Sequence, residues 1–480
     1  MEKTKLFALL HCLDPKERRW VAGYFCQPCL AEKHATWQQL LNYLLDQTLQ
    51  SQPKIDRKTI FALLFGTKTP YDDLKMRHIA TNVLQQVETA LAYYYAQRDD
   101  VLWLPLQTLR LYSRKQLAKH YNGAIENIKR HLSENEYRHA DYFLQKYRYF
   151  NLQEQFNNNR TDPAKQIALV EASNSLDVFY IAAKLRMMAA LDTLQQVHTT
   201  DCRVALADMI LLAVTQNPDY RQYTAIAAYY YCIQMQQSSG TDSDTWFEQL
   251  TELLLRPQLD LPFDEAQEIY FFGLNYCAVQ INKGRDAYLQ QIFALYQTGL
   301  PKQWLLDDGT TLSVFNYKNI TTVALRLQQY DFVHRFLQDN KALLPAAQRE
   351  SAFTYNIANY HFYRREYDQV LPLLQQVSHD EIFYTLDARL LLLKTYYELG
   401  ETEALLSLVD STRQLLQRTK QLNRERQKTY RNFLKFVRKL SNLPPKATQK
   451  MIALRQQIAQ TTHLADKKWL LSHLLALTSS

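Results

Sequence analysis

Glycine is nearly missing from this chain: nine in 480 residues, against an ordinary share of about 7%. Hairpin turns, bulges and phosphate-cradling loops use glycine because they need positive φ or close backbone approach. Large β-sheets and glycine-rich nucleotide loops are therefore both disfavoured. Gly66-Thr67-Lys68-Thr69 lacks the upstream glycine and preceding strand of a phosphate loop. Cysteine is also sparse. Cys12, Cys26, Cys29, Cys202, Cys232 and Cys277 are unevenly spaced and form no disulfide framework. Cys26-Gln27-Pro28-Cys29 is a lone pair, with His11, Cys12 and His34 nearby, where structural zinc takes two spaced pairs. It reads as free cysteines buried at a helix end. No HExxH pair occurs among the twelve histidines, and no catalytic triad can be argued from linear spacing. The acidic pairs Asp72-Asp73, Asp99-Asp100 and Asp307-Asp308 read as helix caps and turns rather than metal ligands. The expectation is a non-enzyme with no metal and no cofactor. No run reaches the 18 or so apolar residues of a membrane span. Leu6 to Leu13 is too short for a signal peptide before the charged stretch 14–19. A cytoplasmic protein without a transmembrane segment is expected.

What the chain does contain favours helices. Leu, Gln, Ala, Lys, Arg and Glu are abundant, and all are good helix formers. Thirty-two tyrosines include the runs 93–95 and 229–231. Neighbours on a helix diverge by about 100°, so these runs suit half-buried positions between stacked helices better than one core. Asp14-Pro15 opens a helix, with proline where its missing N–H costs nothing. Asp56 to Phe65 is a short helix stopped by Gly66, and Asp72-Asp73 opens a long helix to about Arg98. Polar breaks at 157–163 and 238–244 separate further helices, and no long linker divides the chain. The expected organisation is an N-terminal helical cap over 1–100, irregular helical repeats over 101–300, and clearer repeats over 301–480 that end in a basic helix.

Those clearer repeats are degenerate but countable. Tyr330, Tyr367 and Glu401 recur at the same place, 37 and then 34 residues apart. The first two copies share Asn319/Asn356, Ile320/Ile357, Tyr330-Asp331/Tyr367-Asp368, Val333/Val370 and Leu337-Gln338/Leu374-Gln375. The third copy continues through Leu391, Ala404 and Leu408, and Gly284-Arg285-Asp286 marks a further copy with a longer connection. A period of this size that carries two short helices is the mark of a helical solenoid. Residues 316–411 resemble a degenerate tetratricopeptide repeat. The family's small first-helix position is held here by Thr321, Ala358 and Leu392, and its second-helix alanine by Val333, Val370 and Ala404. Most of the chain, including 60–72 and 391–401, is also similar to a group of bacterial helical-repeat proteins. That resemblance implies a fold and brings no activity with it. The tetratricopeptide resemblance implies an all-α, right-handed α-solenoid of antiparallel helix pairs. It also implies a protein or peptide partner held on the concave surface lined by first helices. Tyr360, His361, Tyr363, Arg364, Lys394 and Tyr397 are the candidate contacts.

Charge marks a second candidate. Residues 413–455 hold thirteen Lys/Arg and one acid, Glu425, in a chain whose whole net charge is +8. Lys420, Arg424, Lys428, Arg431, Lys435 and Arg438 are spaced by threes and fours and fall within an arc of about 80°. Leu415, Leu422, Tyr430, Phe433, Val437 and Leu440 lie opposite. Like charges at i,i+4 cost a few tenths of a kcal/mol each. The ridge is either a solvated outer face, paired with acids of a neighbouring helix, or an anion-binding surface for nucleic-acid phosphates or an acidic protein; a membrane surface is a third reading, which the use of the apolar face in a solenoid core disfavours.

Overall fold

The computed structural model describes residues 4–26, 35–50, 53, 55–156, 162–197, 204–238, 240–375, 382–419, 422, 424–444 and 448–479. These residues are all-α as expected, apart from one two-stranded ribbon that pairs Leu306–Asp307 with Thr311–Leu312. Twenty-three α-helices are described, and none is long and apolar enough to cross a membrane. The chain divides into two compact units, residues 1–227 and 228–480.

The first unit holds α1 (Lys5–Cys12), α2 (Pro15–Phe25), α3 (Ala35–Gln47), α4 (Arg57–Phe65), α5 (Asp73–Asp99), α6 (Trp103–Arg114), α7 (Ala118–Glu134), α8 (Ala140–Phe156), α9 (Pro163–Val197) and α10 (Ala207–Gln216). Its helix starts follow the sequence signals. Asp14 and Glu17 form a capping box at α2, with Pro15 in the first turn. Asp56 and Asp72 cap α4 and α5 by accepting from Thr59 N and Lys75 N. The core gathers Leu6, Leu10, Val21, Leu40, Leu44, Phe61, Val83 and Val87 around α5. Cys26 ends α2 as the sequence suggests, but it is exposed, not buried, and its thiol sulfur accepts from Gln38. Cys29 and Cys202 lie outside the described residues.

α11 (Thr224–Gln237) runs across the boundary between the units. Ala225 through Tyr230 are all buried, and Tyr231 is half-buried. Tyr229 and Tyr230 are core residues, not the half-buried ones expected of this run, whereas Tyr231 matches that expectation.

The second unit continues with α12 (Thr241–Leu254), α13 (Phe263–Asn282), α14 (Tyr288–Gly299), α15 (Val314–Arg326), α16 (Tyr330–Asp339), α17 (Arg349–Tyr363), α18 (Tyr367–Gln375), α19 (Ile382–Leu399), α20 (Thr402–Arg418), α21 (Arg424–Ser441), α22 (Thr448–Gln460) and α23 (Lys467–Ser479). Each of α15, α17 and α19 packs against the helix that follows it. They also pack against one another in the order α15–α17–α19, which makes a row of first helices. The second helices bury single stripes: Val333, Phe336 and Leu337 on α16, and Leu405, Val409, Thr412 and Leu416 on α20. α17 buries Ala352, Tyr355, Asn356, Ala358, Asn359 and Phe362 around most of its circumference. A helix with neighbours on several sides has no wide polar face left.

The turns between paired helices share one device. Gly284, Gln328, Arg365 and Gly400 all have positive φ, between 57° and 88°. After each, an N–H reaches back five residues: Arg285 N to Gln280 O, Gln329 N to Ala324 O, Glu366 N to His361 O and Glu401 N to Tyr396 O. This is the Schellman closure, which satisfies the last carbonyls of a helix. The Gly284 turn thus has the same geometry as the other three. Inside the helices the repeat register shifts. Val333 and Val370 are both fully buried, but Asn319 is exposed where its sequence counterpart Asn356 is fully buried. Burial pairs Tyr317 with Tyr355 and Thr321 with Asn359, one residue later than the sequence pairing. In the third copy Leu405 and Val409 are buried, and Ala404 and Leu408 only half so. Packing against different neighbours rotates each helix by up to one position.

Candidate interaction site

The end of α17 forms a self-contained polar cluster. Tyr360 is buried, and its hydroxyl accepts from Arg364 Nη1 at 2.6 Å. His361 Nδ1 lies 2.7 Å from Glu366 Oε2, and Arg364 Nε lies 2.9 Å from Glu366 Oε1. The hydrogen bond from His361 and the charge of Arg364 hold the Glu366 carboxyl below its usual range. Tyr363 is half-buried, and its backbone carbonyl accepts from the Tyr330 hydroxyl at 3.2 Å. Tyr360, His361, Tyr363 and Arg364 therefore sit together, with Arg364 the exposed member.

Lys394 and Tyr397, one turn apart on α19, are covered by the chain itself. Lys394 is 93% buried and pairs through Nζ with Asp466 Oδ2 at 2.7 Å. Its ammonium also lies 4.9 Å from the Phe362 ring centre. Asp466 precedes α23. Trp469 of α23 packs edge-on to Tyr397 at 5.3 Å, and His473 does so at 5.0 Å. Between them Glu398 Oε1 accepts from Trp469 Nε1 at 3.0 Å and lies 2.8 Å from His473 Nε2. Burial pushes the Glu398 carboxyl up, and the hydrogen bonds from His473 and Trp469 outweigh it, so the group sits below its usual range.

Two further cations reach the same recess. Lys318 of α15 pairs with Asp387 of α19, which also accepts from the Tyr430 hydroxyl at 3.1 Å. Arg326 pairs with Asp286 at 2.9 Å, and Lys468 binds the other oxygen of that carboxylate at 2.9 Å. Water reaches 41% of the Asp466 side chain, yet protein surrounds it at longer range, so the recess opens to solvent on one side. That crowding raises the Asp466 carboxyl, but the charges of Lys394, Lys318 and Arg326 outweigh it and hold it below the usual range. Burial pushes the nearby Tyr355, Tyr363 and Tyr430 hydroxyls well up, so they stay protonated, and Tyr430 donates to Asp387.

No family model, curated protein or solved structure matched this chain.

The basic ridge lies on α21. Arg424, Lys428, Arg431 and Lys435 are exposed, and among the described residues none of the four pairs with a carboxylate. Arg438 pairs with Asp410 of α20 at 2.7 Å. Lys420 lies outside the described residues. The opposite face buries Phe433, Leu434, Phe436, Val437 and Leu440, and Tyr430 is half-buried. Among the described residues no three His, Cys, Asp or Glu side chains converge as metal ligands. Cys232 and Cys277 are buried, and burial pushes their thiols far up, which keeps them protonated and unreactive.

Sequence reasoning did not find Asp466, Trp469, His473, Glu398, Lys318, Arg326 or Asp387. They are spread over some 150 positions and share no repeat spacing, so only folding brings them together. The one local hint was the Asp466-Lys467-Lys468-Trp469 stretch, where an acid just ahead of a helix is followed by an aromatic in its first turn.

Proposed function

We propose that this protein is a non-enzymatic scaffold that holds a protein or peptide partner in the cytoplasm. In this reading the second unit is a degenerate tetratricopeptide-like, right-handed α-solenoid, and the partner lies on its concave surface along α15, α17 and α19. The recess carries the proposal: three cations from two first helices, Lys318, Arg326 and Lys394, act on Asp466, with Lys394 beside the Phe362 ring and Lys318 beside the Tyr355 ring. Cations flanked by amphipathic rings offer a peptide both charge and apolar contact. The repeated Schellman turns support the array reading, because the same closure joins successive helix pairs. Capture from the native cytoplasm tests it. The full chain is compared with a variant carrying alanine at Tyr360, His361, Tyr363, Arg364, Lys394 and Tyr397. The variant should lose partners that the parent retains, and equal recovery of the same partners would count against this surface.

The ridge supports a second reading, nucleic-acid binding. Four exposed cations with no acidic partner among the described residues suit phosphate contacts, which give affinity without sequence readout.

A further inference from the structure

The groups that cover the expected partner surface form a pattern. Asp466 reaches Lys394, and Trp469, three residues on, reaches Tyr397 and Glu398. Leu470 and Leu474 then bury their side chains in the core with Phe433 and Val437. Trp469, Leu470 and Leu474 fall on one face of α23, and Asp466 stands just ahead of its first residue, outside the helix. Asp466 itself is held at φ 44°, in the left-handed region that costs a non-glycine residue about 1 kcal/mol. Its carboxylate is water-accessible and its lysine is buried. The cation belongs to the first-helix row, and the acid arrives from a segment beyond the repeats.

We propose that this surface recognises a short partner helix with the pattern acid-x-x-aromatic-Leu-x-x-x-Leu, and that Asp466 with α23 is an internal copy of that ligand which occupies the site in the free protein. This rests on the reading of the first-helix surface as the partner site. The partner's carboxylate replaces Asp466 on Lys394, with Arg326 and Lys318 supplying further positive field. Its aromatic ring replaces Trp469 against Tyr397, and its leucines refill the places of Leu470 and Leu474. The exchange conserves buried area and ion pairs, so the cost is the local concentration of a tethered competitor, about millimolar for a short connection. Apparent affinity is the intrinsic affinity multiplied by the fraction of molecules whose internal helix is out of the site.

The test uses a fluorescein-labelled synthetic peptide of residues 464–479 and the full-length chain, read by fluorescence anisotropy. Asp466→Ala with Trp469→Ala weakens the internal ligand. That variant should bind the peptide at least about tenfold more tightly than the parent chain, and adding Lys394→Ala should reverse the gain. A peptide carrying Asp466→Asn should bind about tenfold more weakly. Should the double variant lose its folded urea midpoint, Asp466→Asn alone in the chain serves, with a gain of about threefold expected. A folded variant that binds no more tightly than the parent overturns the proposal, as does binding indifferent to Lys394→Ala. If the peptide fails while capture of a cellular partner still depends on Tyr360 and Arg364, this proposal falls and the scaffold reading stands. If the peptide binds through Lys394 while the six-alanine variant captures every partner, the internal ligand stands and the scaffold reading falls.

Discussion

Gly400 and Arg365 occupy the same place in successive turns, and that equivalence can be tested with opposite signs. Gly400 has φ 77°, and a Cβ built on it meets nothing within 4 Å. Gly400→Ala therefore adds no clash and isolates the backbone term. A left-handed conformation costs an L residue about 1–2 kcal/mol. Reduced freedom of the unfolded chain returns about 0.4–1 kcal/mol. The net loss is about 1 kcal/mol. Arg365, exposed with φ 63°, already bears that strain. Arg365→Gly should remove it and stabilise by about 0.5–1 kcal/mol, even though glycine usually weakens helices. Urea unfolding followed by far-ultraviolet circular dichroism measures both. With a slope of about 2–3 kcal/mol per molar urea, the changes move the midpoint by about 0.2–0.5 M. Exchange protection of the Glu401 and Glu366 amides should move in the same directions, since those N–H groups close the two turns. A stable Gly400→Ala chain, or a weakened Arg365→Gly chain, would refute the common Schellman geometry.

A carboxylate in the second unit should make stability depend on acid. Asp244 accepts from both Arg285 amine groups and from Tyr288 and Tyr276, and chiefly the Arg285 fork lowers its pKa from 3.8 to about 2. A depressed carboxyl stabilises the fold above its unfolded pKa, and the gain fades as pH falls from about 4 to 2. The shift is worth at most about 2.4 kcal/mol, and solvent at the Arg285 head reduces this to about 1 kcal/mol. Asp244→Asn should cost that amount at pH 7 and only a small part of it near pH 2 in denaturant titrations at each pH; an equal cost at both would break the linkage. For the ridge, Lys428→Glu with Arg431→Glu should abolish binding to a labelled single-stranded oligonucleotide at low salt, and parent binding should fall steeply between 50 and 200 mM salt, as is usual for phosphate contacts. Absence of parent binding at low salt removes the nucleic-acid reading.

Much of the local structure was legible in the residues. Capping aspartates, a first-turn proline and a stopping glycine act within a few residues, so Asp14, Asp56, Asp72 and Gly66 mark helix ends wherever those helices pack. The second-helix stripe was legible for the same reason: Val333 and Val370 repeat at helical spacing and both are buried. Less readable were the first helices. A helix enclosed on several sides carries no simple apolar stripe, so Asn319 and Asn356 match in sequence and part in burial. Cys26 was misread because a helix end is a local property, and its burial depends on what packs over it.

What the sequence determined by itself was helical: few glycines, many good helix formers, recurring turn positions and a ridge of like charge all act through neighbours in the chain. Only the tertiary structure decided what those helices present. It brought Lys394 to Asp466 and Tyr397 to Trp469, and so filled the surface that spacing alone had left open. Side-chain periodicity is set by the 100° step of one helix, whereas an ion pair 72 positions apart is set by how helices stack.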